Sequence, residues 1–205
     1  MASSKKNLES YKKKRNFRKT PEPGGGKARF DWADKRPIFV IQKHDASTLH
    51  YDFRIEVEGV LKSWAVPKGP STDPSEKRLA VPTGDHPLDY ADFEGVIPEG
   101  EYGAGAVMVW DRGSYGNLKD QDEEKKSVAE QIKDGHVTIW IEGEKISGGY
   151  ALIRTGKGKN VRWLLIKMDD DHADARRNPT STEPKSVKSG RTLKEIRKDD
   201  SEENK

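Results

Sequence analysis

The sequence is best interpreted outward from one run, Gln42-Lys43-His44-Asp45-Ala46-Ser47-Thr48-Leu49-His50-Tyr51-Asp52-Phe53-Arg54. Side chains in a β-strand alternate between the two faces of the sheet. His50, Asp52 and Arg54 therefore share one face, and apolar residues occupy the positions between them. The residues Asp45-Ala46-Ser47 have turn chemistry, which places His44 on a neighbouring strand. The pattern predicts two adjacent strands whose polar side chains face one common space.

The polar side chains of this run form a set with metal-binding chemistry. His44, His50 and Asp52 supply two imidazoles and a carboxylate, which suit Mn(II), Zn(II) or Fe(II) and leave coordination positions open for catalysis. The alternative is a His–Asp hydrogen-bond pair at a strand edge, with no metal. Arg54 either binds a phosphate or forms a salt bridge with Asp52. Gln42 either donates to a phosphoryl oxygen or holds His44.

A second polar stretch, Gly84-Asp85-His86-Pro87-Leu88-Asp89-Tyr90, is typical of a loop. His86 is a candidate for a third nitrogen ligand near the metal, or for a general acid at a leaving oxygen. Tyr90 is a candidate for a hydrogen bond to a phosphate. The alternative for both is an ordinary loop residue. Residues 95–105 are rich in glycine but lack the strand, loop and helix order of a nucleotide site, so they indicate turns.

Charge is divided unevenly along the 205 residues. Residues 1–36 contain 12 Lys and Arg against 4 Asp and Glu, a net charge of +8, whereas residues 37–170 have a net charge of −6. A basic arm beside an acidic body favours binding to a nucleic acid backbone, and a merely solvated tail is the alternative. The chain has no cysteine, which excludes disulfides and thiolate metal sites. It also lacks an apolar leader and a long apolar run, so we expect an intracellular protein without a membrane partner.

Short segments rich in β-branched and aromatic residues, separated by Gly and Pro, extend from Pro37 to Met168. The predicted strands are residues 38–44, 49–58, 60–66, 79–83, 104–111, 136–142, 147–154 and 161–168. Residues 8–15 and Lys125–Lys133 are predicted to be helical, the second with a stop at Asp134-Gly135. So many short strands favour an all-β, mainly antiparallel fold, either a small barrel or a sandwich.

Three regions are expected along the chain. Residues 1–36 form a basic N-terminal arm, which is partly flexible because of its Pro-Glu-Pro-Gly-Gly-Gly run and is anchored by Tyr11 and Phe17. Residues 37–168 form the folded β domain. Residues 169–205 form a disordered charged tail, because apolar residues nearly vanish there and little surface can be buried to offset chain entropy.

The run from Gln42 to Arg54 resembles the signature of the 3′-phosphoesterase domain of bacterial DNA ligase D. Further matching motifs follow in the same order, namely Trp64–Gly69, Gly84–Tyr90, Phe93–Pro98, Gly103–Gly105, Trp110–Gly113 and Trp163–Lys167. The resemblance covers residues 8–168, and it departs from the family at Asn16, where an acidic residue is common. Nothing resembles the ligase or polymerase domains of that enzyme, so we expect a stand-alone form.

The resemblance implies a closed β-barrel of about eight strands with one or two short helices, disordered termini and a site in the barrel cavity. It implies that His44, His50 and Asp52 bind Mn²⁺, with Zn²⁺ or Co²⁺ as possible substitutes. The other implied site residues are Arg54, His86, Tyr90 and Gln42 around the scissile phosphate, Arg15 and Glu22 of the arm in the diesterase step, and Lys68 and Arg78 as supporting cations.

The implied activity is the processing of DNA 3′ ends. A terminal ribonucleoside would be removed by phosphodiester cleavage, and the remaining 3′-phosphate would then be removed to leave a 3′-hydroxyl for ligation in non-homologous end joining. The implied partners of this monomer are DNA or DNA/RNA primer–template 3′ ends, a DNA ligase and end-binding repair proteins, in the cytoplasm at the nucleoid. Two other classes stay open: a non-catalytic module that binds DNA ends and recruits a ligase, and a 2-His-1-carboxylate Fe(II) oxygenase.

Overall fold

A computed structural model describes residues 8–26, 28, 30–123, 125–156 and 158–203. Its strands are β1 (Ile38–Asp45), β2 (Leu49–Val57), β3 (Val60–Val66), β4 (Lys77–Pro82), β5 (Gly95–Ile97), β6 (Gly105–Asn117), β7 (His136–Gly143), β8 (Ser147–Thr155) and β9 (Arg162–Lys167). They form one antiparallel sheet in the order β1-β2-β3-β4-β9-β8-β7-β6-β5. β1 also pairs with β6, which closes eight strands into a barrel and leaves β5 as an extra strand. The prediction of an antiparallel barrel of about eight strands is confirmed, and the sandwich is excluded.

The predicted strands agree with the observed ones except around β6. This strand extends six residues beyond the predicted end at residue 111 and pairs in turn with β5, β1 and β7. The predicted strand ended before Gly113 and Gly116. Gly113 lies within the strand and packs closely against β7. A Cβ atom at this position would be 1.9 Å from the carbonyl oxygen of Glu142. The short β5 was not predicted.

The described helices are short. They are α1 (Glu9–Lys13), α2 (Val128–Asp134), α3 (Pro179–Thr182) and α4 (Leu193–Glu203), with 3₁₀ turns at Leu88–Asp92, Leu118–Gln121 and Gly158–Asn160. α2 begins after Ser127, whose side chain accepts a hydrogen bond from Glu130 N in a capping box, and it ends at Gly135 with φ of 89°. Among the described residues, no helix is long and apolar enough to cross a membrane.

Apolar side chains pack on both faces of the sheet. The barrel interior is filled by one cluster that includes Phe39, Phe53 and Trp110. A second cluster, with Val40 and Tyr11 among its members, lies between the outer face of the sheet and the arm. Because side chains alternate along β1 and β2, the polar face lies outside the barrel, under the arm. The implied site in the barrel cavity is therefore wrong, since large apolar side chains fill that space.

The C-terminal segment, residues 169–203, packs on the barrel, which differs from the expected disordered tail. Ile196 is 2% exposed and belongs to the interior cluster. Trp110 Nε1 donates to Glu183 O at 2.8 Å, and Val187 N donates to Val109 O at 3.0 Å. The segment is held by backbone hydrogen bonds, by ion pairs such as Arg191–Glu94 and Arg197–Asp45, and by the buried Ile196. A count of apolar residues does not detect these polar contacts. The last two residues lie outside the described part of the chain.

Candidate metal and phosphate site

A single hairpin carries the predicted metal ligands. β1 and β2 are joined by residues 46–48, and their register pairs His44 with His50. Asp52 lies two residues beyond His50 and points to the same side. One ligand atom from each of the three residues lies within 4.8 Å of the other two. The structure thus brings together the set that strand alternation predicted.

The outer hydrogen bonds of the two imidazoles determine which ring nitrogen is available. His44 Nε2 lies 2.9 Å from Gly103 O, and His50 Nδ1 lies 2.8 Å from Thr48 O. A carbonyl only accepts, so each of these nitrogens carries a hydrogen and leaves the lone pair on the other nitrogen. Those two atoms lie 3.6 and 3.7 Å from Asp52 Oδ2. These distances are too long for a direct His–Asp hydrogen bond, and the outer carbonyls are typical of metal-binding histidines.

Asp52 is buried and ionised. Burial by itself would raise the pKa of its carboxyl group, but Arg54 and the two histidines outweigh that effect and hold the pKa well below its usual value. Arg54 Nη2 lies 3.0 Å from Asp52 Oδ2. Two imidazole nitrogens and an ionised carboxylate oxygen form a donor set that fits a divalent transition-metal cation.

Arg54 is fixed on three sides. Besides its salt bridge to Asp52, its Nε donates to Gln42 Oε1 at 2.8 Å, and its Nη1 lies 2.9 Å from His86 Nδ1. The sequence left open whether Arg54 contacts Asp52 or a phosphate. The structure shows the Asp52 contact, and Arg54 also lines the pocket described below.

Gln42 does not hold His44. Its amide nitrogen donates to Tyr90 O at 3.0 Å and to Phe93 O at 2.9 Å, while its oxygen accepts from Arg54. Gln42 is fully buried. It therefore ties Arg54 to the 88–93 turn and is not available to a phosphate.

His86 lies between two guanidinium groups. Its Nε2 is 3.3 Å from Arg15 Nη2, and its Nδ1 contacts both Arg54 and Gly84 O, the latter at 2.8 Å. Burial, followed by the two arginines, holds the pKa of His86 well below its usual value. A neutral imidazole has one lone pair and cannot accept from both arginines. The surplus of donors makes this place suitable for an anion, and His86 lies outside the metal ligand group.

The arm supplies one wall of the site. Arg15 Nε donates to Glu22 Oε1 at 2.8 Å, and Tyr90 OH donates to the same oxygen at 3.1 Å. Thr20 Oγ1 donates to Glu22 Oε2 at 2.9 Å. Burial raises the pKa of Tyr90, so its hydroxyl stays protonated. Sequence reasoning did not identify Thr20 because no spacing rule connects it to the hairpin, whereas the predicted anchor Tyr11 is buried at 3% exposure.

These groups surround a cavity of about 190 Å³. Its lining residues are Ser10, Tyr11, Lys14, Arg15, His44, Ala46, His50, Asp52, Arg54, Thr83, Gly84, His86, Tyr90, Ile97, Tyr102 and Gly103. Lys68 and Arg78 do not line this cavity. They line a separate cleft beside β4, where Arg78 forms an ion pair with Glu76. Lys14 and Tyr102 were not singled out in the sequence, because Lys14 is one of many cations in the arm and Tyr102 lies in the glycine-rich run 95–105.

The structure is a closed β-barrel that carries a candidate cation-binding group, the His-His-Asp set, beside two arginines. Residues 42–154 match the family model described as the DNA ligase D 3′-phosphoesterase domain. The chain belongs to this family, as the sequence resemblance indicated.

Two bacterial relatives named LigD share about half of this sequence over the aligned residues. The chain is 52% identical over 193 residues to the multifunctional non-homologous end joining protein LigD of Pseudomonas aeruginosa, covering 93% of this chain and 22% of the relative. It is 45% identical over 168 residues to the protein of that name from Mycolicibacterium smegmatis, covering 80% of this chain and 21% of the relative. The chain thus spans about a fifth of the length of these relatives.

Proposed function

We propose that this protein is a Mn(II)-dependent phosphoesterase that converts DNA 3′ ends to 3′-hydroxyl ends for ligation in non-homologous end joining. The observation that carries the proposal is the convergence of His44, His50 and Asp52 within 4.8 Å, beside the buried guanidinium of Arg54. Membership of the 3′-phosphoesterase family supports it. The activity comprises removal of a terminal ribonucleoside and removal of a terminal 3′-phosphate.

The residues of the pocket have separate roles in the proposed cleavage of a phosphate ester. A divalent cation held by His44, His50 and Asp52 would withdraw charge from a phosphoryl oxygen. Arg54 and Arg15 bind the other oxygens and stabilise the negative charge that develops in the transition state.

In this proposal His86 is the general acid that protonates the leaving oxygen. It is neutral in the free site. The negative charge of a bound phosphate offsets the two neighbouring arginines, so His86 gains a proton and donates it to the leaving oxygen.

The arm positions catalytic groups and contacts the strand. Glu22 orients both Arg15 and Tyr90, which accounts for its burial inside a basic segment. Exposed cations on the same segment bind the sugar–phosphate backbone without sequence preference, namely Lys12, Lys13, Lys14, Arg18 and Lys19. The substrates are DNA or DNA/RNA primer–template 3′ ends, and the partners are an intracellular DNA ligase and end-binding repair proteins. Lys68 and Arg78 have no role at the scissile phosphate in this proposal.

The test is an assay on a primer–template that carries a 3′-phosphate, with Mn(II), Zn(II) or Co(II) added separately. We expect a 3′-hydroxyl product with Mn(II) and none from His50→Ala, because that variant lacks one of three cation ligands. His136→Ala is the control, since His136 is exposed and lies on β7, outside the pocket. Absence of product from the unaltered protein, or equal product from His50→Ala, would refute the proposal.

The cations of the arm also favour a second candidate, a non-catalytic module that binds DNA ends and recruits a ligase. This module would bind ends without a metal and would keep its affinity in Asp52→Ala. If the protein is a phosphoesterase, turnover should instead disappear in Asp52→Ala. The same primer serves for both measurements.

A further inference from the structure

Tyr102 lies at the mouth of the pocket and has no place in the proposed chemistry. Its side chain is 53% exposed, although it lines the cavity. It directly precedes Gly103, whose carbonyl oxygen fixes His44. Lys14 Nζ lies 4.9 Å from the centre of the Tyr102 ring, and the guanidinium carbon of Arg15 lies 5.4 Å from it. The ring is therefore placed between the cation ligands and the cationic arm.

The exposure of this ring is not explained by packing. Tyr102 belongs to neither apolar cluster. Its contacts with Lys14 and Arg15 are exposed cation–π interactions, which are worth only about 0.5–1 kcal/mol. An aromatic ring beside a phosphate site is, however, suited to a nucleoside, because every nucleobase has a flat face on which such a ring can stack regardless of sequence.

We infer that Tyr102 is the platform on which a nucleobase next to the scissile phosphate stacks. The inference rests on the proposed phosphoesterase function and adds a contact that selects nucleoside phosphates over other phosphate esters. Arg15, Arg54 and Tyr102 line the same cavity, so a phosphate bound between the two arginines would have its nucleoside within reach of the Tyr102 ring. Two nucleosides can supply the base: the one that keeps the 3′-phosphate, and the terminal ribonucleoside that leaves.

The test compares primers with and without the relevant base. One pair ends in a 3′-phosphate on a normal or an abasic nucleotide, and the other pair ends in a ribonucleoside or an abasic ribose. KM, kcat and the Kd from fluorescence anisotropy are measured for the unaltered protein, Tyr102→Ala, Tyr102→Phe and Leu79→Ala. Tyr102→Phe keeps the ring, and Leu79→Ala removes an exposed apolar side chain outside the pocket.

We expect removal of the base to raise KM and Kd about tenfold in the unaltered protein, Tyr102→Phe and Leu79→Ala. In Tyr102→Ala both constants should already be about tenfold higher and should not respond to the base. The kcat should change little. If Tyr102→Ala loses its sensitivity to the base in the first primer pair, Tyr102 stacks on the base of the nucleotide that keeps the phosphate. If it loses that sensitivity in the second pair, Tyr102 stacks on the base of the leaving nucleoside.

Equal sensitivity to the base in the unaltered protein and Tyr102→Ala, on both primer pairs, would overturn the inference. Failure of the proposed function is distinguishable, because it would appear as no product from the unaltered protein on the 3′-phosphate primer. The Kd measurements need no turnover, so they decide the role of Tyr102 in that case also.

Discussion

At the scale of single residues, Gln42 connects the two halves of the site. It accepts from Arg54, which contacts the candidate cation ligand Asp52, and it donates to the carbonyls of Tyr90 and Phe93. A buried amide with all of these partners acts by position, since it has no remaining reach to a substrate. Arg54 would lose its defined orientation without it.

We expect Gln42→Ala to lower kcat on a 3′-phosphate primer about 10- to 100-fold, because Arg54 would no longer be held towards the phosphate. The unfolding free energy should fall by about 1–3 kcal/mol, since two buried carbonyls lose their donor. Gln131→Ala is the matched control: Gln131 is equally buried, and it binds Asn117 and Thr138 away from the pocket. An equal loss of kcat in both variants would contradict the positioning role.

His86 makes stability depend on pH in a defined direction. Its pKa in the folded protein is well below the ordinary 6.5, chiefly through burial and the neighbouring arginines. Below that ordinary value the unfolded chain binds a proton that the folded protein does not, so the unfolding free energy should decrease as pH falls, by at most about 1.4 kcal/mol per pH unit. Urea unfolding at about pH 7.5 and 5.5 should show a smaller decrease in His86→Gln than in the unaltered protein. His136→Gln, at an exposed position, should behave like the unaltered protein.

Residue types and strand alternation were enough to predict His44, His50, Asp52 and Arg54 as one group. The partners of these residues could not be predicted in the same way. Arg15 meets His86 across 71 positions of sequence, and Tyr90 meets Glu22 across 68. No local spacing rule covers such contacts, so the roles of Arg15 and Glu22 came from the family resemblance alone, and Thr20 was not found.

At the scale of elements, β6 is the strand on which closure depends. It begins at Gly105, where a Cβ atom would lie 2.3 Å from the carbonyl oxygen of Asp45 at the end of β1. The φ of Gly105 is 134°, which L residues rarely adopt. Glycine at this position therefore allows β6 to approach the strand that carries His44.

We expect Gly105→Ala to lower the unfolding free energy by about 2–4 kcal/mol and to weaken Mn(II) binding, because β1 must shift near His44. Gly116→Ala in the same strand should change the free energy by less than about 0.5 kcal/mol, since no atom lies within 4 Å of its added Cβ. Urea unfolding and a Mn(II) titration give the two readouts. Similar stabilities for the two variants would contradict this account of the β1–β6 pairing.

The same strand shows where reading elements from sequence failed. The Asp134-Gly135 stop of α2 and the alternation of β1 and β2 are local signals, and the predictions from them agree with the structure. The predicted strand ended at residue 111, before Gly113 and Gly116, but the crowding that explains Gly113 comes from β7. Glycines selected by a distant strand look the same in sequence as glycines selected by a turn.

At the scale of the whole molecule, both chain ends contribute to the fold. The C-terminal segment contains few apolar residues, yet Ile196 is almost fully buried against the barrel. We expect Ile196→Ala to lower the unfolding free energy by about 2–4 kcal/mol through loss of this contact. Lys194→Ala, at an exposed position of the same helix, is the control and should have little effect. If residues 169–203 were disordered, both variants would unfold like the unaltered protein.

The arm gives the corresponding prediction at the N-terminal end. Deletion of residues 1–30 removes Arg15 and Glu22 together with the exposed lysines, while the candidate cation ligands on β1 and β2 remain. We expect the diesterase activity and the DNA affinity to decrease by a larger factor than the rate of terminal phosphate removal. The reason is that a longer substrate contacts more of the arm. Assays of both reactions with one primer sequence give the ratio of diesterase activity to phosphate-removal activity before and after the deletion. An unchanged ratio after truncation would contradict the prediction.

The location of all three candidate cation ligands on one hairpin also bears on how the molecule assembles. β1 and β2 are adjacent in sequence, so their pairing needs little loop closure, whereas β1 and β6 join residues roughly 60–75 positions apart. Contacts at such separation form slowly. The arrangement of His44, His50 and Asp52 therefore depends on local pairing, whereas the pocket around them, with its groups from the arm and the 83–93 loop, depends on closure of the barrel.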